Sequence, residues 1–182
     1  MILRAAFPIA AAAAVLISGC AQTPTAAAGA SASASAVAQM KPTAGNTVSG
    51  TVRFEQVGSK VMVTAAITGL KPNAEHGFHV HEKGDCSAPD AMSAGGHFNP
   101  GGKPHGKYDK PERHGGDMPN VRADAAGAAR VMWETDLLSV SSGPASVVGR
   151  SVVIHRDPDD YASQPAGNSG PRLACGVIVA GK

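Results

Sequence analysis

The sequence predicts an all-β domain, an antiparallel sandwich or barrel of eight short strands. Three observations carry that expectation. Apolar residues recur at period two in segment after segment, the mark of a strand with one wet face. No segment among them reads as a credible helix. Gly 22, Pro 13 and only 4% aromatic residues describe a loop-rich chain whose core must rest on Val, Ile, Leu and Ala.

The N-terminus comes before any of this. Residues 1–19 read as an export signal: Arg4 supplies a positive start, and Ala5 to Ile17 form an apolar run too short for a permanent span. The run ends in Leu16-Ile17-Ser18-Gly19-Cys20, which resembles the lipobox of bacterial lipoproteins, where the cysteine is acylated and becomes the new N-terminus. An ordinary secretory signal with an incidental cysteine is the alternative. Residues 20–40 are then an uncharged, Ala/Ser-rich flexible tether from a lipidated Cys20 to a domain over 41–182. The end of the tether, Ala36–Lys41, also carries a strand pattern.

The strands follow in order. In Thr47–Glu55, Val48, Val52 and Phe54 share one face, while Thr, Ser, Arg and Glu take the other. Val61, Val63, Ala65 and Ile67 repeat the pattern, and Val57-Gly58-Ser59-Lys60 between them reads as a tight hairpin. The remaining candidates are Glu75–Glu82, Asn120–Asp124, Ala129–Asp136, Arg150–Asp157 and Ala174–Ala180. Two stretches break the rhythm, Lys83 to Pro119 and Pro158 to Leu173. Both exceed ordinary connection lengths and read as functional loops. Trp133, the only tryptophan, alternates with Val131 and reads as packing on the barrel.

Charge and cysteines narrow the class. The formal charge is +2, and loss of Arg4 with the signal leaves +1, which gives no basis for a nucleic-acid partner. With Cys20 assigned to lipid, Cys86 and Cys175 remain as an even pair in an exported protein, where oxidising conditions favour a disulfide. Closing a loop of that length is worth roughly 4–5 kcal/mol in the chain-entropy model. Two free thiols or soft metal ligands are the alternative.

Six of the seven histidines fall in short motifs: GFHVHE (His79, His81), GGHFNP (His97), KPHGKYDKPERHGGD (His105, His114, with Asp117) and VVIHRD (His155). Neutral imidazole is the commonest ligand for zinc and copper. On a strand, His79 and His81 point to one face about 6.5–7 Å apart and can converge on one metal outside the core wall. His155, at a strand end, could add a ligand. His97, His105, His114 and Asp117 make three imidazoles and a carboxylate, a closed tetrahedral set of the kind that holds structural zinc. A metal there would offset the disorder of a long Gly/Pro loop.

Taken together, GFHVHEKGDC, SAGGHFNP, ERHGGDMPNVRAD, GRSVVIHRDPDD and GNSGPRLACGVI resemble the bacterial copper/zinc superoxide dismutases, in order and spacing, over about residues 45–182. The resemblance implies an eight-stranded Greek-key barrel with a zinc loop and an electrostatic loop. It implies copper on His79, His81, His97 and His155, and zinc on His97, His105, His114 and Asp117, with His97 bridging the two. Asp159 matches a residue that hydrogen-bonds one ligand of each site, His76 a structural histidine, and Arg172 the arginine beside the copper. The implied reaction converts two superoxide anions to dioxygen and hydrogen peroxide, the copper alternating between two oxidation states while the His97 imidazole carries a proton.

The resemblance further implies a cell-envelope antioxidant enzyme, attached to a membrane only through Cys20, as monomer or homodimer. A copper-storing or copper-delivering protein on the same fold is the second reading; a copper-only dismutase is disfavoured by the presence of His105, His114 and Asp117. One departure stands out. The stretch Pro158 to Leu173 has no lysine to steer superoxide, and Lys83, Lys103, Lys107 and Lys110 of the zinc loop are the candidates to replace it.

Overall fold

The computed structural model describes residues 33–181. The run read as an export signal, Cys20 and most of the stretch read as tether lie outside the described residues. Nine strands follow in chain order: β1 (Ser35–Pro42), β2 (Ser49–Val57), β3 (Lys60–Thr68), β4 (Glu75–His76), β5 (Phe78–His81), β6 (Val121–Arg122), β7 (Ala129–Thr135), β8 (Ser151–His155) and β9 (Arg172–Ala180). The one helical element among them is a single 3-10 turn, Met92–Ala94. β4 and β5 are the two halves of one expected strand, broken at Gly77, so eight strand segments underlie the nine.

Seven strands form one antiparallel sheet in the order β5-β8-β9-β1-β2-β3-β7, and β4 pairs with β6. β1, β2 and β3 are sequential neighbours; the chain then leaves for the far edge before β7 returns beside β3. That skipped connection is the Greek-key signature. The β2–β3 hairpin closes at Val57↔Lys60 around Gly58, whose φ of 59° suits a two-residue turn.

β1 corrects one boundary. Residues 35–40, read as the end of the tether, pair with β2 on one side and β9 on the other, and Ala36, Ala38 and Met40 enter the core. A segment with alternating apolar residues and two ladder partners is wall, not linker.

The inner face holds Val52, Phe54, Val61, Val63, Ile67, Phe78, Val80, Val152, Ile154 and Ile178 in one cluster. Each such side chain contributes about 1.5–3 kcal/mol by leaving water, so the wall that carries the site is rigid. A third long connection, between β7 and β8, feeds Leu138, Val140 and Val147 into this cluster. Its role is packing. Trp133 faces the core half-buried, as read from its alternation with Val131.

Candidate metal centre

β5 lies at the open edge of the large sheet, where unpaired backbone groups need a cover. The loop after it supplies one. Val80 N–H donates to Gly116 O at 3.0 Å, Phe98 N–H to Val80 O at 2.8 Å, and Gly116 N–H to Phe98 O at 2.8 Å. Gly116 has to be glycine, because a Cβ there would run into the Val80 carbonyl. This pairing sets His97 beside His81 and Asp117 beside His79. The start of the loop is pinned to β9 by the Cys86–Cys175 disulfide expected from the sequence.

His79 and His81 point away from Phe78 and Val80, as alternation demands. Their face is nevertheless dry: both loops fold over it, and His79, His81, His97, His105, His114, Asp117, His155 and Asp159 are all buried. Two groups of ligand atoms converge there, His79, His81, His97 and His155 in one, His97, His105, His114 and Asp117 in the other. Within each group all atoms lie within 4.8 Å of one another.

The proton positions follow from the hydrogen bonds. His81 Nδ1 donates to Gly95 O at 2.9 Å, and His155 Nδ1 to Gly170 O at 3.1 Å. Their Nε2 atoms are therefore bare lone pairs, and they face each other at 3.4 Å. His79 donates through Nε2 to Asp159 at 2.8 Å, leaving its Nδ1 buried and unpartnered; His97 Nε2 is buried and unpartnered too. Four lone pairs thus surround one point with no donor for them.

In the second group one oxygen of Asp117 lies 2.8 Å from His97 Nδ1, 3.0 Å from His105 Nδ1 and 3.3 Å from His114 Nδ1. Its other oxygen is fixed by the N–H groups of Gly106 and His114 at 3.1 and 2.9 Å. Three ring nitrogens so close to one carboxylate oxygen make a donor set that a cation can occupy by displacing the ring protons. Both groups fit a metal ion, the first with nitrogen donors only, the second with three nitrogens and one carboxylate.

Charge states in the first group agree. Burial, helped by neighbouring imidazoles, holds His81 well below its ordinary value and takes His97 to about 4 and His155 to about 3, so these rings are neutral ligands at pH 7. Burial would also lower His105, but hydrogen bonds to Asp117 and Asp159 outweigh it and raise that ring to about 9. Asp117 and Asp159 are held below the usual carboxylate range, because their histidine hydrogen bonds overcome the opposing effect of burial.

The chain matches the family model for copper/zinc superoxide dismutase over residues 48–178. The chain belongs to the copper/zinc superoxide dismutase family. It is 42% identical over 145 residues to superoxide dismutase [Cu-Zn] 2 of Aquifex aeolicus (strain VF5), covering 78% of this chain and 84% of that one. It is 48% identical over 150 residues to superoxide dismutase [Cu-Zn] of Saccharomyces cerevisiae, covering 78% and 95%. Among solved structures it superposes on the clock protein EA4 with a TM-score of 0.73 at 42% identity, covering 82% of this chain and 96% of that chain. A double mutant of a SOD-like protein from Bacillus subtilis gives 0.72 at 36% identity, covering 79% and 96%. As a member of this dismutase family the chain takes copper and zinc as its cofactors, and its histidine clusters suit both.

Arg172 opens β9 opposite His155, across a register shift in β8. Its guanidinium is half-buried and forked, donating to Ala91 O and Gly95 O at 2.7 Å each, the two carbonyls flanking the 3-10 turn. Arg172 and His155 both line a cavity of about 540 Å³ that opens to solvent. Lys83, Lys103, Lys107 and Lys110 do not line that cavity. Lys103 is paired with Glu112 at 2.9 Å and Lys107 with Asp109 at 3.0 Å.

His76 Nδ1 donates to the His155 carbonyl at 2.9 Å, bracing the end of β8. Several contributors were not legible in the sequence. The Gly95 carbonyl serves His81 and Arg172 together. Asn120 grips the backbone of Asp159 at both ends, its Nδ2 donating to Asp159 O at 3.0 Å and its Oδ1 accepting Asp159 N–H at 2.9 Å. Gln164 does the same for His105, at 2.8 and 2.9 Å. Carbonyls leave no mark in a sequence, and these amides have no fixed spacing from their partners.

Proposed function

We propose that the chain is an exported superoxide dismutase of the bacterial cell envelope, with copper on His79, His81, His97 and His155 and zinc on His97, His105, His114 and Asp117. The convergence of buried imidazole lone pairs beside Arg172 carries this assignment. When bound, copper supplies a one-electron couple, while zinc, without redox chemistry, orders the loop.

The chain's own groups do the rest. The Arg172 guanidinium, always charged and fixed by two carbonyls, draws the superoxide anion into the cavity and orients it. Asp159 orients His79 and His105 through one carboxylate, the usual task of a group behind the ligands. His97 Nε2 is the atom that takes up a proton and passes it to the leaving peroxide. The covering loops bury these rings, and the cavity lined by His155 and Arg172 is the way in from solvent.

The bridging role of His97 has its own test. Cobalt in place of zinc should strongly attenuate the copper paramagnetic resonance signal through the shared imidazole, and an unaltered copper signal with both metals bound would sink it. The anchor at Cys20 is supported by the lipobox-like run before it. Mass spectrometry of the mature protein should find Cys20 as an acylated N-terminus at a membrane; an unmodified N-terminus elsewhere would refute the anchor.

A further inference from the structure

The cavity beside His155 is lined by two formally charged side chains, Arg172 and Asp90. Arg172 belongs to β9, and its guanidinium donates to the carbonyl of Ala91, the residue next to Asp90 in the segment just before the 3-10 turn. Asp90 is exposed, and its Oδ1 accepts the Met92 N–H at 3.0 Å, which fixes the carboxylate at the rim. The Arg172 guanidinium spends its fork on Ala91 and Gly95 rather than on Asp90. The negative charge is therefore left to act on whatever approaches, and the lining carries no net charge. No lysine in the lining tips that balance.

We propose that Asp90 is a specificity-determining residue of this cavity: its carboxylate slows capture of the superoxide monoanion and, more strongly, keeps dianions off Arg172. Coulomb repulsion scales with ligand charge, so a factor of about two to five against a monoanion becomes its square, about four to twenty-five, against a dianion. Burial lowers the Arg172 guanidinium and the nearby Asp90 charge raises it, which agrees with the two charges sensing each other. The large mouth makes such exclusion useful, since nothing about its size rejects sulfate or phosphate.

This inference rests on the dismutase reading, and its test separates the two. Asp90→Asn removes the charge and keeps an oxygen to accept the Met92 N–H. In the copper- and zinc-loaded protein, azide binding, read from the visible spectrum without turnover, should tighten about two- to fivefold. The sulfate inhibition constant, obtained from azide displacement at fixed ionic strength with azide's own gain taken into account, should tighten about four- to twenty-fivefold relative to the parent. The rate constant for superoxide should rise about two- to fivefold at low salt, with the gain vanishing at high salt. Asp90→Glu, which keeps the charge, should retain sulfate exclusion. Unchanged azide and sulfate affinities in Asp90→Asn would overturn the proposal, as would equal behaviour of the Asn and Glu variants. Because both anions are read without turnover, an inactive parent would count against the dismutase reading alone.

Discussion

Asp159 joins the two clusters through its two oxygens, accepting His79 Nε2–H at 2.8 Å on one and His105 Nε2–H at 3.0 Å on the other. Each bond fixes which nitrogen of its ring keeps a lone pair. Gly167, at φ +65°, lets the chain pass so close that a Cβ there would collide with that carboxylate. Asp159→Ala frees both rings and should weaken metal affinity about 10–100-fold, as loss of a group behind the ligands generally does. Competitive titration with chelators measures this, and parental affinity for both metals would contradict it.

Asp117 is the only carboxylate among the ligand atoms and touches all three imidazoles of its group. Asp117→Ala should cost about 3–5 kcal/mol, the scale for stranding buried groups, and should lower the melting temperature of the zinc-loaded protein sharply. Tyr108, in the same loop, packs edge-on against both Trp133 and Tyr161, at 6.4 and 5.7 Å between ring centres. Trp133 fluorescence should therefore change when zinc is removed; an emission spectrum blind to zinc would show that the loop does not depend on the metal.

His105 gives the metal-free protein a defined pH response. Its folded pKa of about 9 lies above the ordinary 6.5. A raised pKa means the folded state holds the proton more tightly, so the stabilisation is full below about pH 6.5 and is lost as pH rises through 9. The melting temperature of the metal-free protein should fall between pH 6.5 and 9.5, and the difference from His105→Asn should narrow. Zinc uptake below pH 9 should release a proton, detectable by calorimetry in buffers of different ionisation heat. A stability difference that grows with pH would reverse the sign and refute the assignment.

Arg172→Ala removes the cation from the cavity and leaves the copper group intact. Superoxide turnover should fall about 10- to 100-fold and lose its salt dependence, while copper content stays the same. Rapid mixing at several ionic strengths checks both parts.

Reduction of Cys86–Cys175 should destabilise the protein by about 2–5 kcal/mol. The bridge also holds the segment whose Ala91 and Gly95 carbonyls grip Arg172. Activity should therefore fall in reduced protein that still melts cooperatively. Full activity under those conditions would show that Arg172 is positioned without it.

The strands were legible because each wall segment alternates, and the two covering loops because they do not. Period two put His79 and His81 on one face, yet could not reveal that this outer face is sealed; that depends on Gly116 and Phe98 pairing with Val80, a contact across distant residues. The end of the expected tether was misplaced because Ala36 and Ala38 are small enough to suit linker or wall, and only their pairing with β2 and β9 decides. Asp90 stayed hidden because its effect depends on sharing a cavity with Arg172, 82 residues away (172 minus 90).

Consumption of superoxide by the copper- and zinc-loaded protein, followed by pulse radiolysis, tests the dismutase assignment most directly. The expected result is second-order removal near the diffusion limit, on the order of 10⁸–10⁹ M⁻¹s⁻¹, lost when copper is withdrawn and restored when it returns. A rate no faster than buffer, with both metals bound, would contradict it.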